Sequence, residues 1–215
     1  MGYRLPNGAT MEIAATRGLA INATAISNAN PAVVTSVGHG LANGDIIILQ
    51  SGWTRLNERP FRVAGVTTDS FQLEGVDTTN ADVYTAGGGT GTVREVLTWA
   101  QVSQITDVAT SGGEQQFATF GFLEEDEDRQ LPTTKSAMSM TLTVADDPAL
   151  PYVAICEAAD DDREPRAWRL NLPNGSKILY NAYTSISATP SLSRNNLMTR
   201  TITLSLAGRP VRYAA

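Results

Sequence analysis

One cysteine and one histidine in 215 residues already exclude much chemistry. A lone Cys156 cannot form an intrachain disulfide, so folding is expected in a reducing compartment. One thiol and one imidazole cannot fill a tetrahedral zinc site without unusual carboxylate help, and no cofactor is expected. No uninterrupted apolar run approaches the roughly 20 residues that a membrane helix needs, and Met1–Pro6 lacks the apolar core of a signal peptide. The expectation is a soluble chain made in the cytosol, with no membrane partner. Positive charge is also scarce: 16 Lys and Arg against 22 Asp and Glu leave a net charge of −6. The basic residues are scattered, which argues against a grip on nucleic-acid phosphates.

Catalytic patterns are missing too. A Ser-His-Asp triad would have to use His39, which sits in a Gly-His-Gly turn with no Gly-x-Ser-x-Gly motif elsewhere. Local hydrogen bonding is its expected role. Cys156 falls on the core face of a predicted helix with no neighbouring base, and there it acts as a small hydrophobe. Gly87-Gly88-Gly89-Thr90-Gly91 lacks the lysine, hydroxyl residue and helix of a phosphate loop, and reads as a flexible turn into a strand. No constellation supports an enzyme.

What is present is alternation. In Ala167–Leu172 the residues Trp168, Leu170 and Leu172 share one parity, which marks a half-buried strand. Pro173-Asn174-Gly175 follows, and Asn-Gly suits a two-residue hairpin turn, so the chain is expected to return as Ser176–Tyr183. A polar loop, Ser185–Asn196, leads to Leu197–Leu206, where Met198, Ile202, Leu204 and Leu206 face one way and Thr199, Thr201, Thr203 and Ser205 the other. β-Branched threonine favours that extended backbone. Gly208-Arg209-Pro210 ends the run.

The ordered series Arg166-Ala167-Trp168, Leu172-Pro173-Asn174-Gly175, Tyr183–Ser187, Leu197-Met198-Thr199-Arg200-Thr201 and Gly208-Arg209-Pro210 resembles the C-terminal half of the major tail tube protein of lambda-type long-tailed bacteriophages. The resemblance implies a mainly β fold, an antiparallel sandwich or barrel with one short α-helix. It also implies six-membered rings that stack into a tube for genome ejection. Implied partners are further copies of the chain, other tail proteins such as tape measure, tail tip and tail terminator, and DNA that passes without specific binding.

Upstream, Leu5-Pro6-Asn7-Gly8 repeats the tetrapeptide at Leu172–Gly175 and predicts a hairpin turn before a strand, Ala9–Ala15. Between Ala32 and Glu95 short strands alternate with turns at about ten-residue spacing, the pattern of a small antiparallel unit. The strands are Val33–Val37, Ile46–Leu49, Phe61-Arg62-Val63 and Phe71-Gln72-Leu73. Gly38-His39-Gly40-Leu41, Asn43-Gly44-Asp45, Leu56-Asn57 and the two Phe-centred strands resemble the small β module named after a catalytic-cysteine half-domain of ubiquitin-activating enzymes. Cys156 lies far outside this segment, so the likeness implies a fold and not ubiquitin chemistry. The expected organisation is a discontinuous tail tube domain, 1–28 and 96–215, carrying an inserted all-β domain at 29–95. The ends of the insert, near Ser27 and Glu95, should lie close together.

Leu97, Trp99, Val102 and Ile105 are core candidates where the main domain resumes. Ala109–Thr134 is a long polar segment, of the kind that is functional or mobile in compact domains. It holds Glu124, Glu125, Asp126, Glu127 and Asp128, followed by Arg129. Five consecutive acids lack the ligand spacing and bend glycine of a calcium loop, and a self-repelling solvated loop is the plain reading. The tail tube resemblance implies a loop here that reaches a neighbouring ring, with these six residues as its contacts. Ser136–Val144 is a further strand, and Asp146-Asp147-Pro148 reads as a helix start, since a carboxylate caps free N–H groups and proline suits the first turn. Leu150, Val153, Ala154 and Ala158 supply helical spacing up to Asp160-Asp161-Asp162. A competing function is a carbohydrate- or surface-binding β-sandwich module, with Trp53, Trp99 and Trp168 as stacking surfaces.

Overall fold

The computed structural model describes residues 7–215. In chain order its elements are β1 (Thr10–Arg17), β2 (Ile21–Ala23), β3 (Ala25–Ile26), β4 (Val33–Thr35), β5 (Ile46–Ser51), β6 (Arg59–Ala64), β7 (Ser70–Leu73) and β8 (Gly91–Val102). There follow β9 (Ile105–Ser111), β10 (Gln115–Phe120), β11 (Arg129–Lys135), β12 (Ser139–Ala145), the helix α1 (Pro151–Asp162), β13 (Arg166–Asn171), β14 (Lys177–Ile186), β15 (Thr199–Leu206) and β16 (Val211–Tyr213). The fold is mainly β with one helix, as the resemblance implies, and among the described residues its sheet is open and not closed into a barrel. Fourteen strands form an open path β3-β4-β7-β6-β5-β8-β1-β13-β14-β15-β12-β9, with β2 beside β8 and β16 beside β14. β10 and β11 form a separate two-stranded ribbon.

β8 is the longest strand, and it serves two ladders. Its first half pairs with β5 (Ile47 opposite Glu95 through Ser51 opposite Gly91) and with β2 (Ile21 opposite Val93). Its second half pairs with β1, from Arg17 opposite Val96 to Met11 opposite Val102. The passage facing Glu95 is Gly18, whose N–H donates to the Glu95 carbonyl at 2.9 Å. Ile26, next to Ser27, lies against Gly89 instead. The glycine run is packed: a Cβ on Gly89 would stand 3.0 Å from the Trp53 ring, which is why glycine occupies that position.

Three apolar clusters follow from this layout. One lies between the sheet and α1 and includes Ile13, Leu142, Tyr152, Cys156, Trp168 and Ile202. A second, around Ile47, Leu49, Trp53, Leu56, Phe61 and Phe71, fills the space bounded by β4–β8. A third, with Ala14, Ile46, Val96, Ala167, Leu179 and Tyr213, joins them. Trp168 is fully buried, with its indole N–H donating to Thr184 Oγ1 at 3.1 Å. Burial of an aromatic that size, truncated to alanine, is worth about 3–5 kcal/mol.

Several local expectations are corrected. The turn between β13 and β14 has three residues: Gly175 N–H reaches Leu172 C=O, Gly175 takes φ +82°, and Asn174 keeps negative φ while its side chain accepts from Ser176 N–H. That is a type I turn closed by a left-handed glycine, which lets proline hold the first central position. Asn7-Gly8 forms a turn with Gly8 at φ +89°, whereas Leu5 and Pro6 of the predicted hairpin lie outside the described residues.

Helix α1 begins at Pro151, with Leu150 as an extended N-cap that makes no side-chain cap bond. Asp146 does not cap it: its N–H donates to the Met198 carbonyl, and Asp147–Leu150 first form a turn, with Leu150 N–H on the Asp147 carbonyl and Ala149 N–H on Asp147 Oδ1. The buried face is Tyr152, Val153, Cys156 and Ala159; Ala154 and Ala158 are exposed. The acidic end is offset by the Arg166–Asp162 ion pair, and Arg163 terminates it with φ +54°.

Leu97 is 53 % exposed because Thr16 pairs with Thr98 and Arg17 with Val96, which leaves Leu97 as the extra residue of a bulge. Met198 is exposed as well, since β15 starts only at Thr199. Arg200 falls on the inward parity of β15, where its Nε donates to Ser187 C=O at 2.9 Å and it pairs with Glu157 at 3.3 Å.

Candidate functional site

The chemistry-bearing residues that sequence singles out are occupied with structure. His39 is buried; its Nδ1 accepts from Leu41 N–H at 3.0 Å, its Nε2 sits 3.0 Å from Thr67 C=O, and its ring meets Phe71 edge-on at 5.2 Å. Those bonds hold the Gly38–Gly40 turn onto the β6–β7 connection. Burial pushes the Cys156 thiol up to about 12, so at neutral pH it is protonated and a poor nucleophile. Among the described residues no group of three or more His, Cys, Asp and Glu side chains converges to hold a metal ion. Trp53 and Trp168 are core residues, and Trp99 is half-buried with the Arg169 guanidinium 4.4 Å above its ring. Those tryptophans do not offer the open stacking platforms that a sugar-binding module needs.

The unusual surface is the projecting ribbon. β9 pairs only with β12 among the described residues, and from Thr106 to Ser111 its side chains are exposed. At its end Gly112 and Gly113 both take positive φ, +79° and +81°. A Cβ on Gly112 would stand 2.9 Å from the Ala137 carbonyl carbon and closer still to its oxygen, so only glycine lets the chain leave the sheet here. Ser136 N–H donates to Glu114 C=O at 2.9 Å and closes the root. β10 and β11 then pair antiparallel from Gln115 opposite Lys135 to Phe120 opposite Arg129. Where a polar loop is predicted, the structure has a two-stranded arm. Pro132 is accommodated because both strands of the arm are edges.

The arm has no core of its own. Phe117, Phe122 and Leu131 are at least half exposed, and Leu123 is fully exposed. At the tip, Phe122 packs edge-on against Phe120 at 5.7 Å and lies under the Arg129 guanidinium at 5.4 Å. Arg129 also forms an ion pair with Glu125. Glu124, Asp126, Glu127 and Asp128 make no ion pair among the described residues, so the tip presents carboxylates beside bare apolar groups. The six consecutive residues proposed from sequence as contacts, Glu124–Arg129, lie at the far end of this arm. Sequence reasoning missed the apolar half of that surface, although Phe120-Gly121-Phe122-Leu123 directly precedes the acids.

A family model described as phage tail tube protein matches residues 51–215. Among solved structures, the chain is similar to the sheath/tube terminator of an extracellular contractile injection system in its extended state, at 18 % identity over 53 % of this chain and 87 % of that one, with a TM-score of 0.40. It is also similar to the tube-terminating cap of the anti-feeding prophage, at 23 % identity over 54 % and 83 %, with a TM-score of 0.39. No curated protein sequence matches.

Proposed function

The chain belongs to the phage tail tube protein family, a structural and non-enzymatic component of the virion tail, and from that premise we propose that it is the repeating subunit of the tube itself. Six copies join edge to edge into a ring, and rings stack into the conduit for genome ejection in a lambda-type tail. The observation that carries this reading is the pairing of an open sheet edge at β9 with an exposed arm. A free edge strand is a hazard unless a partner covers it, and ring closure turns such edges into intended contacts. The Glu124–Arg129 tip of each arm contacts an adjacent ring. The chain is made in the host cytoplasm and partners with tape measure, tail tip and tail terminator proteins. A net charge of −6, partly displayed in the lumen, would repel phosphates and let DNA slide.

On this reading residues 29–95 are an inserted β module of the catalytic-cysteine half-domain type, set on the outer wall. Support comes from the apolar cluster around Phe61 and Phe71, whose buried members other than Ala23 and Ile26 fall within 29–95.

Negative-stain microscopy with sedimentation across a concentration series tests the tube proposal. Rings or tubes are expected; a strictly monomeric chain, even with tail-tip complexes added, would overturn it. Excision of the module with a short linker should leave a folded remainder, and loss of the remaining fold would refute its separability.

A further inference from the structure

Two shallow depressions lie side by side at the root of the arm. One, of about 400 Å³, is bordered by Lys135, Met138, Leu206, Arg209 and Pro210. The other, of about 310 Å³, continues across Met138, Met140, Ile178, Leu206 and Pro210 to Arg212. Met138, Leu206 and Pro210 belong to both, so the two form one groove with an apolar floor. Lys135, Arg209 and Arg212 stand exposed on its rim and take part in no ion pair among the described residues, and no carboxylate lines it.

The tip of the arm is complementary: apolar groups stand exposed on it, and its charge has the opposite sign. Leu123 is fully exposed and Phe122 half exposed, and five carboxylates follow against a single guanidinium. We infer that the groove is the receptor for the arm tip of a second copy of this chain, with Leu123 seated on Met138, Leu206 and Pro210 and the acids of the tip facing Lys135, Arg209 and Arg212. This rests on the tube reading above and names its receptor.

The copy's own tip cannot be the occupant. The ribbon from Gln115 to Phe120 is extended at about 3.4 Å per residue, which places the tip on the order of 20 Å from the root where the groove lies. A contact from the tip of one copy to the root of the next is heterologous, and where its rotation does not close into a ring it propagates as an open stack. Burial of leucine supplies the attraction. Three exposed cations meeting acids supply orientation and weaken with salt.

Two experiments on the full-length chain test this. In the first, Leu123 is replaced by the photo-cross-linker benzoylphenylalanine, and linked peptides are identified by mass spectrometry. Intermolecular links to Met138 or to residues 206–212 are expected. Links that map elsewhere would overturn the groove and leave the tube reading standing, whereas a chain that neither links nor assembles would overturn both.

The second experiment pairs Arg209→Glu/Arg212→Glu with Glu124→Lys/Glu127→Lys; these spare the Glu125–Arg129 pair, and circular dichroism checks their folding. Each set alone should raise the concentration needed for assembly by about tenfold, the scale of a few exposed ion pairs. The combined variant should recover most of that loss. Unchanged assembly in the Arg209/Arg212 set, or no recovery in the combined one, would overturn the proposal.

Discussion

Gly112→Ala tests the geometry on which the arm depends. The residue sits at φ +79°, where an L side chain costs about 1–2 kcal/mol. A new Cβ would also meet backbone, the Ala137 carbonyl and the Met138 Cα at 3.2 Å, and not the yielding end of a side chain. Forcing β12 to retreat adds about 1–3 kcal/mol by analogy with overpacked sites. Together these predict a loss of about 2–5 kcal/mol, or roughly 4–20 °C in Tm for a chain of this size. Gly75→Ala is the matched control, because Gly75 has φ +70° and a methyl there would meet nothing within 4 Å, so the substitution carries only the backbone cost. Thermal unfolding of the two variants, with limited proteolysis of residues 112–137, reads the difference. Gly112→Ala should lose clearly more stability, become cleavable at the root and fail to assemble. Equal losses in the two variants, with the root still protected, would refute the close approach at Ala137.

Cys156 should resist thiol reagents in the folded chain at pH 8 and react as soon as denaturant unfolds it, since burial holds the thiol protonated; rapid native labelling would contradict that. Burial pushes the Glu12 carboxyl up, but hydrogen bonds from Arg169 Nε at 2.6 Å and Asn171 Nδ2 at 2.8 Å outweigh it and hold the group below the usual carboxylate range. Its contribution is therefore present above the ordinary pKa of 4.5 and fades as pH falls through the lowered value, so wild type should converge on Glu12→Gln in acid. A stability gap that stays constant from pH 7 to 3 would sink this assignment. His39→Ala leaves the buried Leu41 N–H without its acceptor, at a cost of about 1–3 kcal/mol, measurable by urea denaturation. A neutral result would show that the turn holds without the imidazole.

Legibility in the sequence tracks one-sided burial. β12 and β15 read clearly because Met140, Leu142 and Val144, like Ile202 and Leu204, alternate against threonine and serine. β9, β10 and β11 have no buried face, so Gln115–Phe120 and Arg129–Lys135 carry no period-two signal and look like loop. β16, three residues long, is too short for any pattern, yet it places Tyr213 in the core. Sequence misplaces the helix start because Pro148 and Pro151 both suit a first helical turn, and the chain makes a separate turn, closed by Leu150 N–H on the Asp147 carbonyl, before the helix begins. Inward Arg200 breaks the apolar parity, because its partners, the Ser187 carbonyl and Glu157 on α1, are brought to it only by folding. The acidic tip stands out by composition. Its groove does not, since it is assembled from Lys135–Met140, Ile178 and Leu206–Arg212 only after folding.

How the proposed inserted module joins the rest follows from β8. Residues Gly91–Glu95 belong to the ladder with β5 and β2, and the same strand continues into the ladder with β1 without a linker. The joint is reinforced across the third cluster: the Tyr213 hydroxyl accepts from Arg62 N–H at 2.8 Å, the Arg62 guanidinium lies 4.5 Å above the Tyr213 ring, and Asn181 Nδ2 donates to Glu58 C=O at 3.1 Å. A cut at residue 29 would leave Ala23 and Ile26, both buried against the module, exposed on the remaining domain. Removal of residues 19–95 would keep Arg17 paired with Val96 and take out β2–β7 whole, together with the first five residues of β8. The second excision should therefore give the more soluble remainder, because it exposes Tyr213 and the third cluster but strands no apolar segment. A module fixed through a continuous strand and a stacked arginine is held at a set angle, and in a tube of repeating subunits it would present its outer loops at a set spacing.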